Sequence, residues 1–180
     1  IEPGFDIYET SSPNSSFNFS IPPNFFEPGS EPFSGRVEFK GEPLAPPAFG
    51  MADTIVERKE PARLFGPGFN DTIPIEIVAL SLVSTNPITV TYNEGATSKQ
   101  WSVKVVVSPT KPSNGSMKIK LNNSQGGTFD SKFSVQPKFI FTELDGNGIR
   151  ESDTGNEGQP PYKLNASGSP WQFAPCHPEV

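Results

Sequence analysis

The chain has 180 residues, of which 33% are hydrophobic and 19% are charged, and its net charge at pH 7 is −6. Its 21 prolines and 16 glycines exclude a helical bundle, because proline removes a backbone donor and glycine lowers helix stability. The length suits one domain, the lack of a run of about 18 apolar residues excludes a membrane-spanning helix, and the negative charge argues against a nucleic-acid partner.

Residues 1–34 are predicted to form an extended N-terminal arm rich in proline and phenylalanine. Proline favours extended conformations over helix. Phenylalanine side chains are too apolar for a free tail, so we expect the arm to lie on an apolar surface of its own domain or of a neighbouring molecule. The residues expected to anchor the arm during assembly are Phe17, Phe19, Phe25, Phe26 and Phe33.

Residues 35–142 contain segments in which apolar and polar side chains alternate with a period of two. The clearest segment has Trp101, Val103 and Val105 alternating with Ser102 and Lys104. Such alternation is typical of a strand with one buried face and one exposed face. This part of the chain is therefore predicted to be a β-sheet domain.

The most apolar run, residues 73–83, predicts a single strand that is buried on both faces. Turn signals such as Asn93-Glu94-Gly95 separate the predicted strands. About seven short strands joined by such turns favour an antiparallel β-sandwich of immunoglobulin-like architecture. We expect residues 35–142 to form its core, and residues 143–180 to form an acidic loop and a proline-rich tail packed on it.

The acidic loop is the best candidate for an ion site. Oxygen ligands at alternate positions on a glycine-rich loop can surround calcium, and the stretch resembles the Asp-x-Asn-Gly-Ile turns of bacterial surface-adhesin repeat domains. The pattern is incomplete because Ile149 stands at the third ligand position, so a solvated turn is the alternative. The candidate calcium ligands are Asp145, Asn147, Glu151 and Asp153.

The sequence favours a protein that is not an enzyme. His177 and Cys176 are the single histidine and the single cysteine. They are neighbours near the end of the chain, where a catalytic triad or a zinc site could not be built around them. The spacing of the carboxylates does not decide whether two of them share a groove, so no residue is assigned a catalytic role.

Two further kinds of site follow from residue type. Aromatic side chains in the tail could form a saccharide platform, with anchoring of the tail as the alternative, and they are Tyr162, Trp171 and Phe173. Sequons for N-glycosylation are used only if the host glycosylates secreted proteins, and they lie at Asn14, Asn18, Asn70, Asn114, Asn122 and Asn165.

Several segments give the chain a resemblance to uncharacterised secreted β-rich surface proteins of bacteria. They are residues 28–33, 35–40, 75–83, 88–92 and 127–130. The resemblance implies a location outside the cytoplasm. Because the chain begins at Ile1 rather than methionine, we also expect export by a cleaved signal peptide.

Charge is distributed unevenly along the sequence. Residues 1–60 hold ten acids against four bases, a net of −6, whereas residues 99–140 hold seven lysines against one acid, a net of +6.

Taken together, the features of the sequence favour a non-enzymatic extracellular structural or surface-interaction protein, such as a filament or coat subunit that assembles by strand or arm exchange. The alternative is a carbohydrate-binding module that calcium assists. The expected partners are further copies of the chain, other surface proteins or a saccharide.

Overall fold

The computed structural model describes residues 1–10, 15–45 and 48–173, and in these ranges the protein consists of β-strands without any helix. The strands form two antiparallel sheets, each curled into a half-barrel, so the predicted all-β, antiparallel class is confirmed. The strands are β1 (Gly4–Tyr8), β2 (Ser15–Ile21), β3 (Phe33–Gly41), β4 (Thr54–Arg58), β5 (Asn70–Leu80), β6 (Leu82–Ser84), β7 (Ile88–Tyr92), β8 (Thr97–Val107), β9 (Ser113–Asn123), β10 (Gly126–Val135), β11 (Pro137–Glu143), β12 (Ile149–Asp153) and β13 (Tyr162–Gln172).

The first sheet has six strands in the order β1-β4-β5-β9-β10-β13. Its inner face is apolar because alternate side chains point inward, as Met117 and Ile119 of β9 do at 3% exposure. The tight β9–β10 hairpin requires glycine at position 127, where a Cβ atom would lie 1.8 Å from the Lys120 carbonyl oxygen. β1 and β13 end this sheet on either side.

The second sheet has seven strands. Six follow the order β12-β11-β8-β6-β3-β2, and β7 pairs with the other end of β8. Trp101, Val103 and Val105 of β8 are completely buried, as the alternation of this segment predicts. β2 comes from the predicted arm, and it pairs with β3 of the same chain from Ser15 to Ile21.

The prediction of one strand buried on both faces over residues 73–83 is wrong. The run is divided between the two sheets, with β5 in the first and β6 in the second. Ser81 lies at the division, where its backbone N–H donates to the Asp53 carbonyl oxygen at 2.8 Å. Within β5 only the inward residues Ile73, Ile75 and Ile77 are buried. The outer face of this strand is turned toward solvent.

Each sheet surrounds a hydrophobic cluster of its own. Leu80 and Tyr162 pack against both clusters and connect the two halves of the molecule. β12 and β13 lie within residues 143–173, where the sequence shows no alternation. In the described part of the chain, nothing helical is long and apolar enough to cross a membrane.

Candidate functional site

Among residues 1–10, 15–45 and 48–173, no strand closes the half-barrel of the first sheet between its edge strands β1 and β13. A groove of about 510 Å³ runs between β1 and β13. Val56, Ile77 and Met117 line its floor and are each 3% exposed. Tyr8 lines the β1 side and Leu164 the β13 side. We call this opening the seam groove.

A second cavity, of about 330 Å³, continues the opening beyond the aromatic pair Tyr8 and Phe129. The two rings lie 6.2 Å apart between centroids, and both residues line both cavities. Its polar wall is the ion pair between the Arg58 guanidinium Nε and the Asp6 carboxylate, at 2.9 Å. The opening therefore combines an apolar floor with one neutralised pair of charges.

Burial of Tyr8 beside this pair raises its pKa. The hydroxyl lies in the low-polarity groove, which disfavours the phenolate, and the nearby Asp6 carboxylate adds to the effect. Together they raise the pKa of Tyr8 to about 12, although Arg58 opposes them. Tyr8 is therefore neutral at any physiological pH.

The outer face of β1 exposes two large apolar side chains. Phe5 is 65% exposed and Ile7 is 52% exposed, and they alternate with Asp6, which faces the groove. An open edge pairs readily with another strand, so edge strands usually carry charged residues or proline in place of exposed apolar side chains. On the opposite edge, Leu164 of β13 is 54% exposed, and no strand that the structure describes pairs with β13 on that side.

Two of the three predicted saccharide-platform residues are brought together by the structure. The rings of Trp171 and Phe173 are 5.0 Å apart and nearly perpendicular. The indole N–H of Trp171 donates to the carbonyl oxygens of Lys120 and Thr128, at 3.3 Å each. A cavity of about 400 Å³ beside Trp171 is lined by amide side chains, those of Asn122, Asn123, Gln125 and Gln172.

Tyr162, the third predicted platform residue, lies at the other end of β13. Its ring packs 4.9 Å from that of Phe17 and 6.3 Å from that of Phe139. It therefore belongs to the contact between the two halves. Nine residues of extended strand separate it from Trp171, which is about 30 Å, so the three side chains do not form one face.

The candidate calcium ligands are spread over several contacts. Asp145 and Asn147 are exposed. The Glu151 carboxylate pairs with the ammonium of Lys138 at 2.7 Å. The Asp153 carboxylate accepts a hydrogen bond from the Thr110 hydroxyl at 3.1 Å. Among the described residues, no group of three or more histidine, cysteine or acidic side chains is arranged to hold a metal ion. Calcium binding stays a prediction.

The loop wraps instead around Glu143, which the sequence analysis did not single out. The Glu143 carboxylate accepts from the Gly148 backbone N–H at 3.2 Å and from the Lys99 ammonium at 3.0 Å. A Cβ atom on Gly146 or Gly148 would lie less than 3 Å from this carboxylate. The two glycines of the motif thus make room for the buried Glu143 carboxylate, whose partner Lys99 is 40% exposed.

The phenylalanines predicted to anchor the arm all lie at the second core. Phe19 and Phe26 are 9% and 0% exposed, and Phe17, Phe25 and Phe33 pack against the same cluster. In the described part of the predicted arm, the large apolar side chains that stay exposed are Phe5 and Ile7 of β1.

The sequons in the described ranges are accessible. All five are exposed, and they are those at Asn18, Asn70, Asn114, Asn122 and Asn165. The sixth, Asn14, lies outside the described residues, as do Cys176 and His177. Glycosylation at any of them stays a prediction.

Comparisons with protein-family models, with curated proteins and with solved structures find no match. The geometry of the seam groove and of its edge strands is therefore the basis of the functional proposal.

Proposed function

We propose that this protein is a non-enzymatic extracellular structural or surface-interaction protein, a filament or coat subunit that assembles by strand addition to its first sheet. The supporting observation is the open β1 edge with its exposed Phe5 and Ile7. An added strand would form backbone hydrogen bonds with the free edge, and its side chains would cover these two residues. The resemblance to secreted surface proteins favours a place outside the cell.

A second copy of the chain is the partner that the charges favour. Residues 1–10, which include β1, hold three acids and no base, whereas β13 holds Lys163 and no acid. Pairing of β1 from one copy with β13 of the next is heterologous, and repeated heterologous contacts build fibres. Strand exchange would then involve residues 1–10, because residues 15–34 of the predicted arm contribute to the core of their own chain.

An immunoglobulin-like sandwich remains part of this proposal as the finer description of the fold. It requires the two sheets to face each other across a shared core. Leu80 and Tyr162, which pack against both clusters, are the contacts that support it.

The test is a pair of edge-blocking substitutions, Phe5→Lys and Ile7→Lys. Lysine on an edge strand opposes pairing with another strand, so we expect the double variant to stay monomeric where the unaltered protein forms larger species. Thr72→Lys is the matched control, since it adds a lysine to the exposed outer face of the inner strand β5. Sedimentation velocity and electron microscopy measure the outcome. Unchanged assembly of the double variant would refute strand addition at this edge.

Carbohydrate binding is the second candidate, and Trp171 with its neighbouring amides favours it. A sugar ring could place its C–H face on an aromatic ring while its hydroxyls bond to amide groups, which both donate and accept. Gln172→Ala and Phe173→Ala should weaken binding on a glycan array, with Gln100→Ala on β8 as the control. An array measured with and without calcium also tests whether the ion assists. If no saccharide binds, this candidate is wrong.

A further inference from the structure

Eight of the ten lysines of the protein fall into two groups by their contacts. Four of them, Lys59, Lys99, Lys104 and Lys138, each lie within 3.0 Å of a glutamate carboxylate. Four others lie on the outer face of the first sheet, where within the described ranges none forms an ion pair. We call these four the lysine face, and they are Lys118, Lys120, Lys132 and Lys163.

The strand register places the lysine face on three neighbouring strands. β9 contributes Lys118 and Lys120, β10 contributes Lys132 and β13 contributes Lys163. Residues two apart on a strand are separated by about 6.7 Å and adjacent strands by about 4.8 Å. The four ammonium groups are therefore distributed over the outer surface of the curled first sheet. Of these, the Lys163 ammonium alone has a hydrogen bond to a side chain there, to the Ser134 hydroxyl at 2.6 Å.

Asp130 is the one acid on these three strands, and its contacts are already made. Its carboxylate accepts from the Gly168 backbone N–H at 2.8 Å and from the Ser167 hydroxyl at 2.9 Å. The hydrogen bond from Gly168 lowers the pKa of Asp130 the most, and the bond from Ser167 adds to this effect. The nearby charges of Lys118 and Lys132 lower the pKa further. The carboxylate stays ionised, so the face has a net charge of +3.

The uncharged residues around the lysines favour a hydrated ligand over a protein. Besides Pro170, the uncharged exposed side chains of this face include amides and hydroxyls, those of Asn114, Ser116 and Asn165 among them. Protein–protein interfaces are depleted in lysine and serine and enriched in aromatic residues. An extended polymer with regularly placed anionic groups and many hydroxyls matches both the charge and the hydrogen-bonding groups.

We propose that the lysine face binds an acidic polysaccharide. Its carboxylate or sulfate groups contact the four ammonium groups, and its hydroxyls bond to the surrounding amides. The face continues past Lys120 to Asn122, which lines the cavity beside Trp171. This inference goes beyond the proposed assembly, because it uses the outer face of the sheet, and the two share Lys163 of β13.

The test compares polygalacturonate and heparin with neutral dextran and with duplex DNA, by isothermal titration calorimetry at low and at physiological salt. We expect the acidic polysaccharides to bind, with an affinity that falls as salt screens the charges. Replacing all four lysines by glutamine should lower that affinity roughly tenfold or more. Replacing them by arginine, which keeps the charge, should preserve binding. Lys40→Gln with Lys111→Gln, a pair of exposed lysines elsewhere, should have little effect.

Three results would overturn the proposal. The four-glutamine variant could bind as the unaltered protein does, duplex DNA could bind as tightly as the polysaccharides at the same salt, or the variant could lose self-association rather than polysaccharide binding. The edge variant Phe5→Lys/Ile7→Lys distinguishes this inference from the assembly proposal. It should still bind polysaccharide even if it no longer assembles.

Discussion

The two halves of the molecule are filled differently. The second sheet encloses fourteen buried residues that include Phe19, Phe26, Trp101, Phe139 and Phe141. Their rings meet edge to face, as Phe19 and Phe139 do at 4.8 Å between centroids. The first sheet encloses nine buried residues, of which Phe133 is the one aromatic member.

This difference between the two cores suggests a division of roles, in which one half of the molecule supplies stability and the other supplies the binding surfaces. Aromatic rings fill large volumes and gain from perpendicular contacts, and the cavity of about 460 Å³ in the second half is lined by rings of this core, among them Phe19 and Phe139. The smaller aliphatic core of the first half leaves the seam groove of about 510 Å³ and the adjoining cavity of about 330 Å³. The β1 edge with its exposed Phe5 and Ile7 also belongs to the first half, as does the lysine face. We infer that the second half is the stable support and the first half is the part that binds.

The strongest test of this comparison is removal of a ring from the second core. Phe26 is completely buried and contacts both Trp101 and Phe141, at 5.0 and 5.3 Å between centroids. Phe26→Ala should therefore lower the free energy of unfolding by about 3–5 kcal/mol, as large-to-small substitutions in cores do. Urea unfolding with tryptophan fluorescence measures it, since Trp101 reports on the second half and Trp171 on the first.

Single-tryptophan variants assign the signals. In Trp171→Phe the emission of Trp101 should show the full loss caused by Phe26→Ala. In Trp101→Phe the emission of Trp171 should shift less if the halves unfold separately. Equal shifts of both probes would mean that the two halves unfold as one unit, and the division of roles would then have no thermodynamic basis.

A second test concerns the loop around Glu143 in the second half. Gly148→Ala would place a Cβ atom 2.7 Å from both the Glu143 carboxylate and the Trp101 ring. Overpacking of this kind costs about 1–3 kcal/mol, which thermal unfolding would record. Gly66→Ala in the first half is the control, because its Cβ would meet nothing closer than 4.0 Å. If both variants unfold at the same temperature, the loop is looser than its contacts indicate.

How much of this structure the sequence could predict depends on the range of the interactions. Alternation in β8, β9 and β11 reports local burial, and it correctly indicated an all-β antiparallel protein. It could not show that the run from Ile73 to Val83 changes sheets at Ser81, because both parts of the run are apolar. It also missed β13, where one side of the strand is open and Leu164, an inward residue, is exposed.

The candidate site was less accessible to sequence analysis for the same reason. The ion pair of Asp6 and Arg58 joins residues 52 positions apart in sequence, and no spacing rule connects them. The glycine-rich loop was recognised, but its partner Glu143 was missed because the pattern suggested ligands within the loop itself. Of the saccharide platform, Trp171 and Phe173 are close in sequence and in space, whereas the extended strand separates Tyr162 from them.

The smallest expected effect is the response of the first half to alkaline pH. Tyr8 has a pKa raised from its ordinary value of about 10 to about 12 in the folded protein. Between these values the unfolded chain has lost the phenolic proton that the folded protein still holds, so stability is complete below pH 10 and falls as the pH rises toward 12. Tyr8→Phe removes this group and should flatten that decline. Urea titrations at pH 9 to 12, monitored through Trp171, measure it.

Because burial also raises the pKa of Tyr92 and Tyr162, some alkaline loss of stability should persist in the Tyr8→Phe variant, and it should affect the Trp101 signal. A decline at Trp171 as steep as in the unaltered protein would show that Tyr8 is solvated, and that the seam groove is more open than the packing of Tyr8 on Phe129 indicates.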